Sequence, residues 1–219
     1  MNEMRNVVVV DDHPMFRDRL AQIIDHEPDM QVCGEAGDAQ EGLRVVQSTK
    51  PDLVIVDITL TGINGLELVK TLRALSLKMA VLVLSMHDES LYAERALRAG
   101  ASGYITKRQP AAEVVTAIRR VLAGEVYLSG KTAAGLLRGL TPGGPAAAAS
   151  TNPVRRLTNR ELEVMQLIGR GRTTREIAAA LELGMATVDT YRARIKEKLN
   201  LRNAMELQHF AIRWVREGE

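Results

Sequence analysis

Asp11, Asp12, Asp57, Ser85 and Lys107 are the residues of this chain whose types, taken together, could do chemistry. Each stands at or just past the end of a short apolar run. Val7–Val10 leads into Asp11-Asp12, Leu53–Val56 into Asp57, Val81–Leu84 into Ser85, and Gly103–Ile105 stops shortly before Lys107. Carboxylates brought close together repel one another unless a hard cation sits among them. Mg²⁺ is such a cation, since it takes oxygen ligands and keeps waters and substrate oxygens in its shell. A neighbouring lysine balances the charge of a phosphoryl group, and a hydroxyl can donate to its oxygens. The set suits phosphoryl transfer onto a carboxylate nucleophile. Singly, none of the five is informative: an Asp after a strand is commonly a cap or turn residue. Their convergence carries the reading.

The apolar runs, joined by Met30–Cys33, alternate over the first 125 residues with amphipathic stretches. Phe16, Leu20, Ile23 and Ile24 keep helical spacing, as do Leu91, Ala96, Leu97 and Ala99 more loosely. Runs that are apolar at nearly every position belong to strands buried on both faces, and so to a parallel sheet covered by helices. Five such βα units predict an open, doubly wound α/β domain. In these sheets the ligand sits beyond the C-terminal strand ends, which is where the five residues fall.

A short helix is expected from Lys131 to Leu140. After it, residues 141–153 hold three prolines and no large apolar side chain, the composition of a flexible linker. The boundaries are accordingly set at 1–125, 126–154 and 155–219. Past Arg156 the pattern is helical throughout. Thr158 with Glu161, and Thr173 with Glu176, have the spacing of capping boxes. The first helix is expected over 157–170, with Leu162, Met165, Leu167 and Ile168 inward and an end near Gly169 and Gly171. A shorter helix follows over 174–181. The third, from about Met185 to Leu199, buries Val188, Tyr191, Ile195 and Leu199 by their spacing. Its opposite face offers Met185, Asp189, Thr190, Ala193 and Lys196, flanked by Arg192, Arg194 and Lys198. A short helix, a tight turn and a basic helix form a helix-turn-helix, whose second helix enters the major groove. A plain bundle with a solvated cationic face is the competing reading. Trp214 reads as core packing in the last helix.

The net charge of +2 hides an asymmetry. Residues 154–219 carry 13 Lys/Arg against 9 Asp/Glu, and the rest of the chain 16 against 18. The basic surplus lies where a nucleic-acid partner needs it. No apolar run approaches the roughly 18 residues of a membrane span, so no membrane partner is expected. The one cysteine, Cys33, permits no internal disulfide, suits a reducing cytoplasm and reads as a small buried hydrophobe. Neither Gly-x-Gly-x-x-Gly nor a P-loop occurs, which argues against a nucleotide-binding domain.

Val-Val-Val-Val-Asp-Asp-His-Pro, Asp-Leu-Val-Ile-Val-Asp57, Gly62-Ile-Asn-Gly-Leu-Glu, Val-Leu-Val-Leu-Ser85 and Gly103-Tyr-Ile-Thr-Lys107 resemble the signature segments of response-regulator receivers, over about residues 4–125. The resemblance implies a flavodoxin-like (βα)5 domain in which Asp57 accepts the phosphoryl group from a sensor histidine kinase. It implies that Mg²⁺ is held by Asp12, the Asp57 carboxylate and the backbone carbonyl of Thr59, with Asp11 helping through water. By the same resemblance Ser85 and Lys107 bind phosphoryl oxygens, and Tyr104 is the switch aromatic that turns inward when Ser85 moves. Leu157-Thr-Asn-Arg-Glu-Leu-Glu-Val, Thr174-Arg-Glu-Ile-Ala and Thr187-Val-Asp-Thr-Tyr-Arg-Ala-Arg-Ile-Lys-Glu-Lys-Leu resemble the four-helix, LuxR-type DNA-binding domain of the NarL/FixJ subfamily. There Asp189, Thr190 and Ala193 match positions that face base edges, while Thr187, Arg192, Arg194 and Lys198 suit phosphates, and Lys196 lies on the same face. Together these imply a phosphorylation-controlled, cytoplasmic transcription regulator that binds double-stranded promoter DNA. A homodimer is expected when it is phosphorylated, with RNA polymerase as a further partner.

Two other readings compete. A DNA-binding regulator with a vestigial receiver would lack the phosphorylation control. An aspartyl-phosphate phosphatase of the haloacid-dehalogenase kind would place a second Asp two residues after the nucleophile, where this chain has Thr59; no enzyme turning over an external substrate is therefore expected. Departures from the receiver pattern are Thr61, where many have proline, and Met86, larger than the small residue common after the serine. Gly184 stands where Ser or Thr commonly caps the recognition helix, so a slightly frayed start is expected. His87, two residues past Ser85, is expected to influence the lifetime of the phosphoaspartate. If Met86 narrows the approach to Asp57, Met86→Ala should be labelled by acetyl phosphate faster than wild type, read by intact mass against time; equal rates would dispose of the idea.

Overall fold

The computed structural model describes residues 4–61, 63–75, 79–86, 89–140 and 153–218; Gly62, His87 and the expected linker from 141 to 152 lie outside them. The chain divides into two compact units, Met1–Leu136 and Leu137–Glu219.

In the first, strands and helices alternate as β1 (Arg5–Val10), α1 (Pro14–Asp25), β2 (Met30–Ala36), α2 (Ala39–Thr49), β3 (Leu53–Val56), α3 (Gly65–Ala74), β4 (Ala80–Ser85), α4 (Glu89–Ala99), β5 (Gly103–Thr106) and α5 (Ala111–Leu122), and α6 (Gly130–Leu140) follows. All strand pairs are parallel, in the order β2-β1-β3-β4-β5. This is the doubly wound architecture expected from the apolar runs. Val7–Val10 and Leu53–Val56 are buried at every position because helices cover both faces of the sheet. Alternate residues sort the core. Val7, Val9, Leu53, Ile55, Leu82 and Leu84 pack with Leu20 and Ile24 of α1 and Val114, Ala117, Ile118 and Val121 of α5.

Two elements depart from the sequence reading. β2 runs on to Ala36, beyond the expected Cys33, because an edge strand needs an apolar lining on only part of its surface. Its register against β1 shifts between Val7 and Val8, which pair with Val32 and Gly34 and leave Cys33 unmatched. Cys33 is accordingly half-buried, not part of the core. On α4 the buried stripe is Tyr92, Ala93, Ala96 and Ala99, with Leu91 and Leu97 half-buried.

The second unit holds a short 3₁₀ helix (Pro153–Arg156), α7 (Asn159–Gly169), α8 (Thr174–Ala180), α9 (Met185–Leu199) and α10 (Ala204–Gly218). Both capping boxes form, at Thr158 with Glu161 and at Thr173 with Glu176. α7 is enclosed on nearly every side: Glu161, Glu163 and Gln166 are buried along with Leu162, Val164, Met165 and Ile168, while Leu167 is only half-buried. Gly169 ends it without a side chain because a Cβ would lie 2.5 Å from the Ala211 carbonyl oxygen of α10. Gly171, at φ +78°, supplies the left-handed turn beyond it. Trp214 is half-buried on α10.

Gly65 opens α3 with its backbone against the end of β3. A Cβ there would lie 1.8 Å from the Asp57 carbonyl oxygen, and the Gly65 N–H donates to the Ile58 carbonyl at 2.8 Å. Relieving that overlap means moving main chain, so Gly65→Ala should cost about 3 kcal/mol or more in a urea unfolding series. Gly135→Ala, where a Cβ meets nothing within 4 Å, should instead stabilise by about 0.5–1 kcal/mol as a helix-interior glycine removed.

Candidate functional site

Backbone ladders carry the acidic residues to one edge. Past the strand ends, Asp11 N–H donates to Ala36 O at 3.0 Å, Asp57 N–H to Val10 O at 2.9 Å and Lys107 N–H to Ser85 O at 2.9 Å. Each bond extends a parallel ladder by one residue, so Asp11, Asp57, Ser85 and Lys107 emerge side by side at the C-terminal edge. The reversal of strand order between β1 and β3, whose connections leave in opposite directions along the sheet, places the first two at the switch point.

Lys107 Nζ lies 2.5 Å from Asp11 Oδ2 and 2.7 Å from Asp57 Oδ2, and all three side chains are at most 4% exposed. The ammonium also sits 4.4 Å from the centre of the Phe16 ring. Burial pushes the Asp57 carboxyl up to about 6; the Lys107 charge and hydrogen bond oppose this, while the Asp11 charge adds to it. The other Asp57 oxygen accepts from Thr59 N–H at 3.3 Å. Thr59 itself is exposed at the mouth of the site. Asp12 accepts from the Thr61 hydroxyl at 3.3 Å through Oδ2. Its Oδ1 is shielded from solvent and accepts no hydrogen bond, although His13 Nδ1 approaches to 2.7 Å. Oxygens of Asp11, Asp12 and Asp57 and a nitrogen of His13 all lie within 4.8 Å of one another. An acidic cluster with a shielded, unsatisfied carboxylate oxygen can hold a divalent cation.

Ser85 is fully buried, as is Tyr104. The Tyr104 phenol is driven well above the ordinary tyrosine value by burial, against a hydrogen bond with Ser85. With the ring already inward, a movement of Ser85 must stretch or break that bond. Met86 is 57% exposed at the same edge.

Three participants escaped the sequence reading. His13 donates its N–H to Asp11 Oδ1 at 3.0 Å, and Pro14 follows at the first turn of α1. Arg17 of α1 reaches back to the Asp11 carbonyl at 2.7 Å while pairing with Glu35 at 3.1 Å. Phe16 walls Lys107. His13 caps α1 and the other two lie near its start, and helical spacing marked only Phe16, as a core residue. Two concavities elsewhere, about 750 Å³ between α1 and α5 and about 530 Å³ bordered by Arg5, Lys50 and Arg73, carry no comparable convergence of groups.

In the second unit α9 turns Thr187, Asp189, Thr190, Ala193 and Arg194 to solvent, with Arg192 and Lys196 partly exposed. Val188, Ile195 and Leu199 are buried as expected, whereas Tyr191 is half-buried. Gly184 caps the helix with no side-chain bond, and its carbonyl accepts from Thr187 and Val188 at 3.0 and 3.2 Å. Lys198, expected on phosphates, is engaged elsewhere: its Nζ donates to both Glu161 oxygens at 2.7 and 2.9 Å. The turn between α8 and α9 is pinned by Arg160, which donates to the Leu181 carbonyl at 2.6 Å and pairs with the buried Glu163 at 2.9 Å.

Residues 7–119 match the response regulator receiver domain family, and residues 155–211 match the bacterial regulatory proteins of the luxR family. The chain is 34% identical over 207 residues to the virulence-factor transcription regulator BvgA of Bordetella pertussis, spanning 94% of this chain and 96% of that protein. It resembles the crystal structure of a LuxR-family two-component response regulator from Aurantimonas sp. SI85-9A1 at 37% identity and TM-score 0.58, over 62% of this chain and 96% of that one. RcsB of Salmonella enterica serovar Typhimurium, solved on the rprA promoter with the phosphomimetic BeF₃⁻, shares the fold at 20% identity and TM-score 0.65, over 95% of this chain and 98% of that one. The exposed basic helix and the buried acidic edge thus have their counterparts in one lineage, and the chain belongs to the two-component response regulators of the NarL/FixJ type, with a receiver domain followed by a LuxR-type DNA-binding domain.

Proposed function

We propose that Asp57 is the phosphoacceptor and that its phosphorylation by a sensor histidine kinase controls sequence-specific DNA binding by α9. The observation that carries this is the buried Asp57 carboxylate sharing the Lys107 ammonium with Asp11. In the transfer, the N–P bond of a phosphohistidine breaks as an Asp57 Oδ–P bond forms. Lys107 then moves its hydrogen bond from the carboxylate to a phosphoryl oxygen, and the Ser85 hydroxyl donates to another. Asp12, Asp57 and the Thr59 carbonyl would hold Mg²⁺, with Asp11 helping, and the ion would neutralise charge on the phosphoryl oxygens. The receiver carries out its own phosphoryl transfer and hydrolysis and turns over no external ester. Among the described residues no helix is long and apolar enough to cross a membrane. The protein acts in the cytoplasm as a homodimer when phosphorylated, since one such helix reads few base pairs and paired half-sites multiply specificity. RNA polymerase is its further partner at the promoter.

On α9, Asp189, Thr190 and Ala193 face base edges, and Thr187, Arg192, Arg194 and Lys196 serve phosphates or the groove wall. A carboxylate accepts from the cytosine amino group and repels purine acceptors. Asp189 therefore selects a C·G pair in each half-site.

Treated with acetyl phosphate and Mg²⁺, the wild-type chain should gain the mass of one phosphoryl group and Asp57→Asn should gain none. No gain in wild type, even with a cognate kinase, would leave a regulator that binds DNA without phosphorylation. Selection from a randomised site should show Asp189→Ala losing its preference at one base pair per half-site, worth about 1–3 kcal/mol of discrimination; an unchanged preference would remove that contact.

A further inference from the structure

The N-terminus of α6 is capped by a residue of another helix. Ser129 is its cap: the Ser129 hydroxyl accepts from Thr132 N–H at 3.3 Å, and its carbonyl accepts from Ala133 N–H at 2.9 Å. In α7 and α8 the reciprocal bond, to the N–H of the cap residue, comes from a glutamate three positions on, Glu161 and Glu176. In α6 that position is Thr132, which offers no carboxylate. The bond is made instead by Glu89, the first residue of α4, whose Oε1 accepts from Ser129 N–H at 2.7 Å. The capping box is complete, but it is shared between two helices.

The segment leading to α6 has separate anchors. Tyr127 lies along the edge of β5, with Tyr104 N–H donating to Tyr127 O at 2.9 Å and Tyr127 N–H to Ser102 O at 3.1 Å. Its hydroxyl is hydrogen-bonded to Glu113 of α5. The Glu89 bond ties the segment to α4, and Glu89 stands four residues past Ser85. We propose that Glu89 is a positioning residue that completes the α6 cap from α4 and thereby couples the start of α6 to the phosphorylation state of Asp57.

This rests on the phosphoacceptor reading above. Ser85, drawn toward a phosphoryl group, carries the start of α4 with it, while β5 and α5 hold Tyr127 in place. The Ser129 N–H then loses its acceptor. α6 is the helix through which the chain leaves the receiver, so the loosened cap lies at the origin of the output segment.

The test is amide hydrogen exchange of the peptide 125–136 in the full chain, with intact mass read on the same samples, with and without acetyl phosphate and Mg²⁺. Phosphorylation of wild type should speed exchange in this peptide about fivefold, the factor carried by one lost cap of typical strength. Glu89→Ala should exchange at the faster rate from the start and respond no further. Glu89→Ala with Thr132→Glu, which closes the box within α6, should recover slow exchange in both states, a rescue that general loosening of the fold would not give. Mass gain with unchanged exchange in wild type overturns the coupling and leaves the receiver reading intact. Absence of mass gain, even with a cognate kinase, overturns both, and a Glu89→Ala chain that exchanges like wild type overturns the shared cap.

Discussion

Two carboxylates at the ends of neighbouring strands share one ammonium, and the chemistry of the receiver is arranged around that sharing. Asp11, Asp57 and Lys107 are almost wholly removed from water. Withdrawing these charges from solvent costs about as much as their attraction returns, so the group adds little net stability, while removing one member would strand the others. What the arrangement supplies is a cation held against the Asp57 carboxylate. The Phe16 ring and the Arg17 bond to the Asp11 carbonyl fix two sides of the cluster. The parallel ladder fixes the rest, because each charged residue is the next rung beyond the end of a strand.

The same dependence explains what the sequence made legible. A residue that follows on, or closely after, a short apolar run has its place determined by the strand, so Asp11, Asp57, Ser85 and Lys107 could be assigned to one edge from spacing alone. Elements with mixed environments were harder. β2 is an edge strand whose polar Gly34-Glu35 stretch hides its true length, and its bulge displaces Cys33 from the core. The α4 stripe centres on alanines and Tyr92, not on Leu91 and Leu97, because small side chains allow close approach to the sheet. Buried Glu161 and Glu163 on α7 contradict simple amphipathicity; Arg160 pairs with Glu163 one turn along the same helix, but Lys198, the partner of Glu161, becomes visible only once the helices are packed. Lys198 is a case in which a charge expected on the flank of the helix, against phosphates, turns out to be a strut. Glu161, fitted with Lys198 and its own cap, is held below the usual carboxylate range even though burial acts to raise it.

In the DNA-binding unit these internal ion pairs set the angle of presentation, since Arg160 holds the turn before α9 and Lys198 holds its last turn. Glu182 between them takes a left-handed conformation, φ +51°, without being glycine. Such a residue stores modest strain, here compensated by the Leu183 N–H bond to the Ala178 carbonyl at 2.8 Å. The exposed surface of α9 has an acid, a hydroxyl and an alanine at its centre, Asp189, Thr190 and Ala193, with its cations to the side.

The Tyr127 segment also has a consequence for the protein in its crowded setting. An open parallel sheet ends in two rows of unsatisfied amides, and such rows recruit strands from other molecules. Here part of the β5 row is taken up by the chain's own continuation at Tyr127, and the β2 row is broken by the bulge at Cys33. Covering one border in part and bending the other leaves less flat edge on which foreign strands can pair and seed aggregates.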